Sequence, residues 1–203
     1  MSLSAALWAA NADSAARILA HPFVRGLGDG SLPRASFERY VAQDAYFLEA
    51  FARAYALCLA HSTARDDLYG FAELIGGVID ELKLHKAYAE RWNVELVGVR
   101  PAPATRAYTD FLLDTATRGA LGETIAAMTP CMRLYAWLGQ NLAKRDVAPL
   151  YAEWVRTYAD PGFESLAVRL EELLDRHATD SPAVRNNYAR AMVLEYGFFD
   201  ANA

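Results

Sequence analysis

The stretch Tyr40–Phe51, YVAQDAYFLEAF, constrains this chain more than any other. Tyr40, Asp44, Phe47, Leu48 and Phe51 recur at i, i+4, i+7, i+8 and i+11, so they share one stripe of a helix. Four members are apolar or aromatic and the fifth is an aspartate. A bare carboxylate on a core-facing stripe costs roughly several kcal/mol, so it must be paired, hydrogen-bonded or neutralised. Either a neighbouring Arg or backbone group ties Asp44 down, or the residue faces a pocket and meets a ligand there.

The same helical periodicity runs through the rest of the chain. Leu3 to about Ala20 reads as an Ala-rich first helix that His21-Pro22 ends, because a residue before proline is pushed out of the α region. Gly26–Pro33, GLGDGSLP, reads as a turn cluster, with Pro33 as the first residue of a helix that continues to about Ala60. Thr63, followed by Asp66 and Asp67, marks the start of a helix reaching about Trp92. Residues 93–103 form a connector in which Val94–Val99 suits a short extended piece. Further helices are expected over Pro103–Thr117, Leu121–Lys144, Pro149–Tyr158 and Pro161–Ala178, and from Ser181 or Pro182 to about Phe199. Pro130 lies inside the Leu121–Lys144 helix and should kink it. About eight helices with short loops and no sustained alternation predict an all-α helical bundle, with residues 1–203 as a single domain. The aromatic end, Tyr196, Phe198 and Phe199, predicts that the last helix docks into the bundle.

Composition removes several classes of function. The chain is 54% hydrophobic and 22% charged, which suits a packed globule. A formal net charge of −5, with scattered Lys and Arg, argues against a nucleic-acid partner. No apolar run reaches the roughly 18–20 residues of a membrane span. The first residues lack a basic segment and carry Asp13 and Arg17, so no signal peptide is expected. Two distant cysteines, Cys58 and Cys131, predict a reduced, cytoplasmic protein.

Two more polar residues interrupt apolar faces. Cys131, in MTPCMRLYAWLG, shares a face with Leu134, Tyr135 and Leu138 just after Pro130. It reads as a small core residue or as a reactive thiol beside a kink. Cys58 reads as core. Glu195, in AMVLEYGFF, is either a surface residue at a frayed helix end or a desolvated carboxyl with a raised pKa, suited to proton transfer near neutrality. Glu81 and His85, at i and i+4 beside Asp80, offer two metal ligands. A di-iron bundle needs more carboxylates and Glu-x-x-His spacing, so no metal and no other cofactor is expected. His21, His61 and His177 read as helix-end residues.

Four blocks carry a resemblance to a known family: His21–Pro33 (HPFVRGLGDGSLP), Tyr40–Leu48 (YVAQDAYFL), Thr129–Tyr135 (TPCMRLY) and Leu194–Phe199 (LEYGFF), with Trp154–Tyr158 (WVRTY) in support. In their order and spread they resemble the TenA / thiaminase II family, the aminopyrimidine aminohydrolases. The resemblance implies a heme-oxygenase-like all-α fold and a homotetramer with one pocket per subunit. The implied substrate is a 4-amino-2-methylpyrimidine bearing a leaving group on its 5-methylene, either thiamin or its aminomethylpyrimidine breakdown product. Asp44 matches the residue that binds the aminopyrimidine edge, Cys131 the catalytic cysteine of the cysteine-containing subfamily, and Glu195 the acid/base glutamate. Phe47, Tyr108, Tyr135 and Tyr158 match pocket-lining positions; position 47 is tyrosine in some relatives. Two rivals remain on sequence grounds: a di-metal oxidase using Glu81 and His85, and a non-catalytic pyrimidine or heme binder.

Overall fold

The computed structural model describes residues 1–203, folded into ten α-helices and one short 3₁₀ turn with no strand. The helices are α1 (Leu3–Ala10), α2 (Ala12–Leu19), α3 (Pro22–Asp29), α4 (Arg34–His61), α5 (Arg65–Trp92), α6 (Pro103–Arg118), α7 (Leu121–Ala143), α8 (Ala152–Ala159), α9 (Pro161–His177) and α10 (Pro182–Asn202). The 3₁₀ turn, Pro149–Tyr151, leads into α8. No helix is long and apolar enough to cross a membrane.

Helix α7 is the axis of the bundle. It is apolar on nearly all faces, and Ile125 to Met132 is an unbroken buried run, the pattern of a helix enclosed by others. Helices α8, α9 and α10 pack against it, with α4 and α6 closing the remaining sides. Pro130 cannot donate a backbone hydrogen bond, yet the helix runs through it without interruption. The Thr129 hydroxyl donates to the Ile125 carbonyl at 2.7 Å in the same turn. The other long unit is the α4–α5 hairpin, which brings the Tyr40–Phe51 stripe against α5. As the aromatic ending suggests, α10 docks into the bundle, burying Phe198 and Phe199.

Local chemistry departs from the sequence reading at four places. The expected first helix is two, α1 and α2, because Asn11 breaks it. The Asn11 amide donates to the Leu7 carbonyl at 2.8 Å, competing with the helix ladder. The expected turn at Gly26–Pro33 begins later, since Gly26–Asp29 belong to α3. That helix has Pro22 in its first turn and the His21 ring accepting from the Phe23 N–H, and it stops at Gly30 (φ 79°). Thr63 does not cap α5; the N-cap is Ala64, without a side-chain bond, although Asp66 and Asp67 do occupy the first turn. Val94–Val99 forms no strand. The connector opens at Asn93, whose left-handed backbone (φ 57°) ends α5.

The crossing of α7 and α8 sets where Tyr158 sits. At Gly139 the α8 backbone comes so close that a Cβ would lie 2.6 Å from the Ala159 nitrogen and overlap Tyr158. Alanine would favour the helix by about 1 kcal/mol, but the overlap involves backbone and cannot be relieved by a rotamer change. Gly139→Ala is therefore expected to lower stability by about 1–3 kcal/mol, read as a drop of several degrees in thermal melting.

Candidate active site

Asp44 does face the interior, 3% exposed, and its partner is a histidine. The Asp44 Oδ2 atom lies 2.7 Å from His85 Nε2, across the α4–α5 contact. His85 Nδ1 lies 2.9 Å from the Glu81 carbonyl oxygen one turn earlier on α5. A carbonyl can only accept, so Nδ1 carries a proton. The second contact then needs its own proton, on Nε2 or on Asp44. The pair therefore holds one shared proton in the core. Burial opposes a charged imidazole, but the Asp44 hydrogen bond, with the charges of Asp44 and Glu81, outweighs it and raises the His85 pKa.

Around Asp44 the bundle encloses a small cavity lined by Phe47, Leu48, Phe51, Glu81, Cys131, Met132, Tyr135, Tyr158 and Phe163. Its volume is about 10 Å³, room for about one water molecule. A pyrimidine ring can enter only if side chains give way. The aromatic walls brace one another: Phe47 packs on Tyr108 at 4.8 Å between ring centres, and Tyr135 meets Tyr158 edge-on at 4.9 Å. Outside this cavity lies an open cleft of about 630 Å³ between α5, α8 and α9, with Glu81 and Phe163 common to both.

Cys131 projects from α7 into the cavity, with the Glu195 carboxyl of α10 beside it. Glu195 is buried, not at a frayed end, and Tyr108 donates to its Oε1 at 2.8 Å. Burial pushes its pKa up to about 8, against the pull of Tyr108 and Cys131, so the carboxyl is mostly protonated at neutral pH. Burial, and next the neighbouring Glu195, also holds Cys131 as a thiol well above the ordinary range. The free site is thus charge-poor on this wall. A thiol next to a protonated carboxyl can add to a polarised double bond without a free thiolate ever forming, because one carboxyl oxygen delivers a proton while the other accepts one.

The structure brings Asp44, Phe47, Cys131, Tyr135 and Tyr158 onto one cavity, with Glu195 and Tyr108 behind Cys131. Cys58 is buried in the core away from it, its thiol pushed up to about 12 by burial. Two residues have roles that the sequence reading missed. His85 partners Asp44. Glu81, half-buried, accepts a hydrogen bond from the Tyr158 hydroxyl, and burial and Asp44 raise its pKa to about 7. The signal was present: Leu74, Val78, Glu81, His85 and Tyr88 recur at helical spacing as a second polar-interrupted stripe. Read as a metal pair, it fits poorly, because both His85 nitrogens are engaged in hydrogen bonds and offer no free lone pair.

Comparison with known proteins finds relatives along most of the chain. The TENA/THI-4/PQQC family model matches residues 8–202. An aminopyrimidine aminohydrolase of Halalkalibacterium halodurans is 38% identical over 165 residues, 78% of this chain and 74% of its own length. Its namesake from Bacillus subtilis is 31% identical over 192 residues, 88% of this chain and 80% of its own. The crystal structure of a TenA family transcription regulator from Silicibacter sp. TM1040 superimposes with a TM-score of 0.92 at 28% identity, covering 98% of this chain and 95% of its own.

A buried acid whose pKa is raised lowers stability as pH rises. Glu195 binds its proton more tightly folded (about 8) than unfolded (4.5), so the folded state loses stability from about pH 4.5 up through pH 8. Replacing it with the neutral isostere removes that loss. Glu195→Gln is expected to be more stable than the wild type at pH 8, by on the order of 2–4 kcal/mol, and to match it near pH 4.5. Scanning calorimetry at the two pH values checks this.

Proposed function

The chain belongs to the TENA/THI-4/PQQC family, and from that premise we propose that it is an aminopyrimidine aminohydrolase. Its substrate is then 4-amino-5-aminomethyl-2-methylpyrimidine, or thiamin, and its pyrimidine product the 5-hydroxymethyl compound. The observation that carries this reading is the convergence of Asp44 and Cys131 on one aromatic-walled cavity with Glu195 against the thiol. Residues 1–203 are taken as one domain. A homotetramer is proposed from the resemblance alone, and a cytoplasmic setting from the two distant cysteines.

Direct loss of an amine from the methylene would leave a cation on an electron-poor ring. The cysteine avoids this. Protonated Glu195 gives its proton to ring N1 as the Cys131 sulfur bonds to C6, and the other carboxyl oxygen takes the thiol proton. The ring is now electron-rich. The C4–C5 pair forms an exocyclic double bond to the methylene, the C–N bond breaks with its pair on nitrogen, and ammonia leaves. The 4-amino nitrogen fills in behind, and its developing positive charge faces Asp44. That charge-assisted hydrogen bond is worth about 1.5–3 kcal/mol, and His85 fixes the carboxylate that makes it. Water then adds to the methylene and gives up one proton, the pair returns to C4–C5, and the C6–S bond breaks as Glu195 takes the proton from ring N1 and returns one to sulfur. Phe47, Tyr135 and Tyr158 hold the ring and exclude bulk water, and Tyr108 positions Glu195.

Purified protein is expected to convert 4-amino-5-aminomethyl-2-methylpyrimidine to the hydroxymethyl product, followed by chromatography. Cys131→Ser should fall by at least ~10³-fold with the fold intact. No turnover of either this substrate or thiamin by folded wild type would sink the assignment.

A further inference from the structure

Asp44, Cys131 and Glu195 handle the ring, and none of them is assigned the methylene, where one bond breaks and another forms. The position of that methylene follows from the proposed binding mode, on which this inference rests. It sits on C5, between C4, whose amino group meets Asp44, and C6, which meets Cys131. The substituent is therefore directed at the wall between those two residues. The one carboxyl besides Asp44 among the residues lining the cavity is Glu81, which lies close enough to feel the charge of Asp44 and act on the Cys131 thiol. Of the cavity's carboxyls, Glu81 is the one that also borders the cleft beyond Phe163, through which water and ammonia must pass.

We propose that Glu81 is a catalytic residue of the second half of the reaction: its carboxylate holds the substrate's ammonium group and then takes a proton from the water that attacks the methylene. Tyr158 donates to Oε1 of Glu81, which fixes the carboxyl and leaves the second oxygen for substrate. The ammonium departs as ammonia, the C–N pair staying on nitrogen. Water oxygen then bonds to the methylene carbon, its O–H bond breaks, and the proton goes to Glu81. From there it passes into the cleft and converts ammonia to ammonium, so that protons and charge balance over the cycle. Phe163, half-buried between cavity and cleft, is the side chain that must move to let the amine out.

The pKa of about 7 suits a group that takes up and releases a proton near neutrality. Facing Glu81 are Asp44 on α4, Cys131 on α7, Arg156 and Tyr158 on α8 and Asp160 at the start of α9, with His85 on its own helix. Glu81 must be ionised and Glu195 protonated, so the rate should rise with pH through about 7 and fall through about 8.

The test is Glu81→Gln assayed on 4-amino-5-aminomethyl-2-methylpyrimidine across pH, beside the wild type. The expected result is a fall in kcat of ~10²-fold or more and loss of the rising limb near pH 7, with the falling limb kept. Intact-mass measurement during turnover should show protein carrying the substrate less ammonia, absent from the Glu81→Gln/Cys131→Ser double variant. The circular dichroism spectrum should match wild type, as a control on the fold. A Glu81→Gln protein within threefold of wild-type kcat overturns the proposal, as does a slow one that keeps the rising limb. If Glu81→Gln does not fold, Glu81→Asp decides: a carboxyl one methylene short should lose at least ~10-fold in kcat, and an unchanged rate overturns the proposal. Failure of the wild type itself to turn over the substrate removes the functional reading, and this inference with it.

Discussion

The hydrogen bond between Asp44 and His85 is what the rest of the site depends on. It lets α4 present a carboxylate inside a bundle that otherwise buries aromatics along that stripe. Neither partner is stable there alone. An unpaired aspartate would be neutralised or would disrupt the packing, and an unpaired imidazole would leave Nε2 buried without a partner. They share one proton between them, and the Glu81 carbonyl locks the ring orientation from the preceding turn of α5. The acceptor offered to a ligand is therefore fixed before the ligand arrives, which lowers the reorganisation that recognition would otherwise require.

Three carboxyls surround one thiol, and their environments separate them. Asp44 is tied to a histidine, Glu81 to a tyrosine at the edge of a solvent cleft, and Glu195 to a tyrosine and the cysteine in the interior. Burial raises both glutamates to neutral or above, with Glu195 the higher. Such separation lets one residue act as an acid while another acts as a base at a single pH. It also costs stability, since each raised carboxyl prefers the unfolded state at neutral pH. The buried aromatic packing around them offsets that cost, which is consistent with a site placed in the middle of the bundle and not on a loop.

Periodicity made the frame legible, because every long helix carries an apolar stripe of the right spacing. Asp44, Cys131 and Glu195 were visible for the same reason: each is a polar interruption of such a stripe. What periodicity does not encode is which stripes meet. His85 belongs to α5 and Asp44 to α4, so their pairing depends on the register of two helices packed side by side. The Glu81–His85 spacing was visible as well, but spacing alone reads equally as a metal pair. The errors at Asn11, Gly26–Asp29 and Thr63 have a common origin in local capping, where single hydrogen bonds by Asn11 and His21 decide a boundary. The family resemblance adds pocket positions for Tyr108 and Tyr158 that no stripe suggests.

The most direct test of the central claim is a calorimetric titration with 4-amino-5-hydroxymethyl-2-methylpyrimidine, the product, which binds without turning over. Wild type and Asp44→Asn would be compared at pH 7.5, with circular dichroism as a check that both are folded. The account predicts one site per chain in the wild type and about 10-fold to 100-fold weaker binding in the variant, the loss of one charge-assisted hydrogen bond. Equal affinity in the two proteins would contradict it, because the ligand would then be recognised somewhere other than the Asp44–His85 pair.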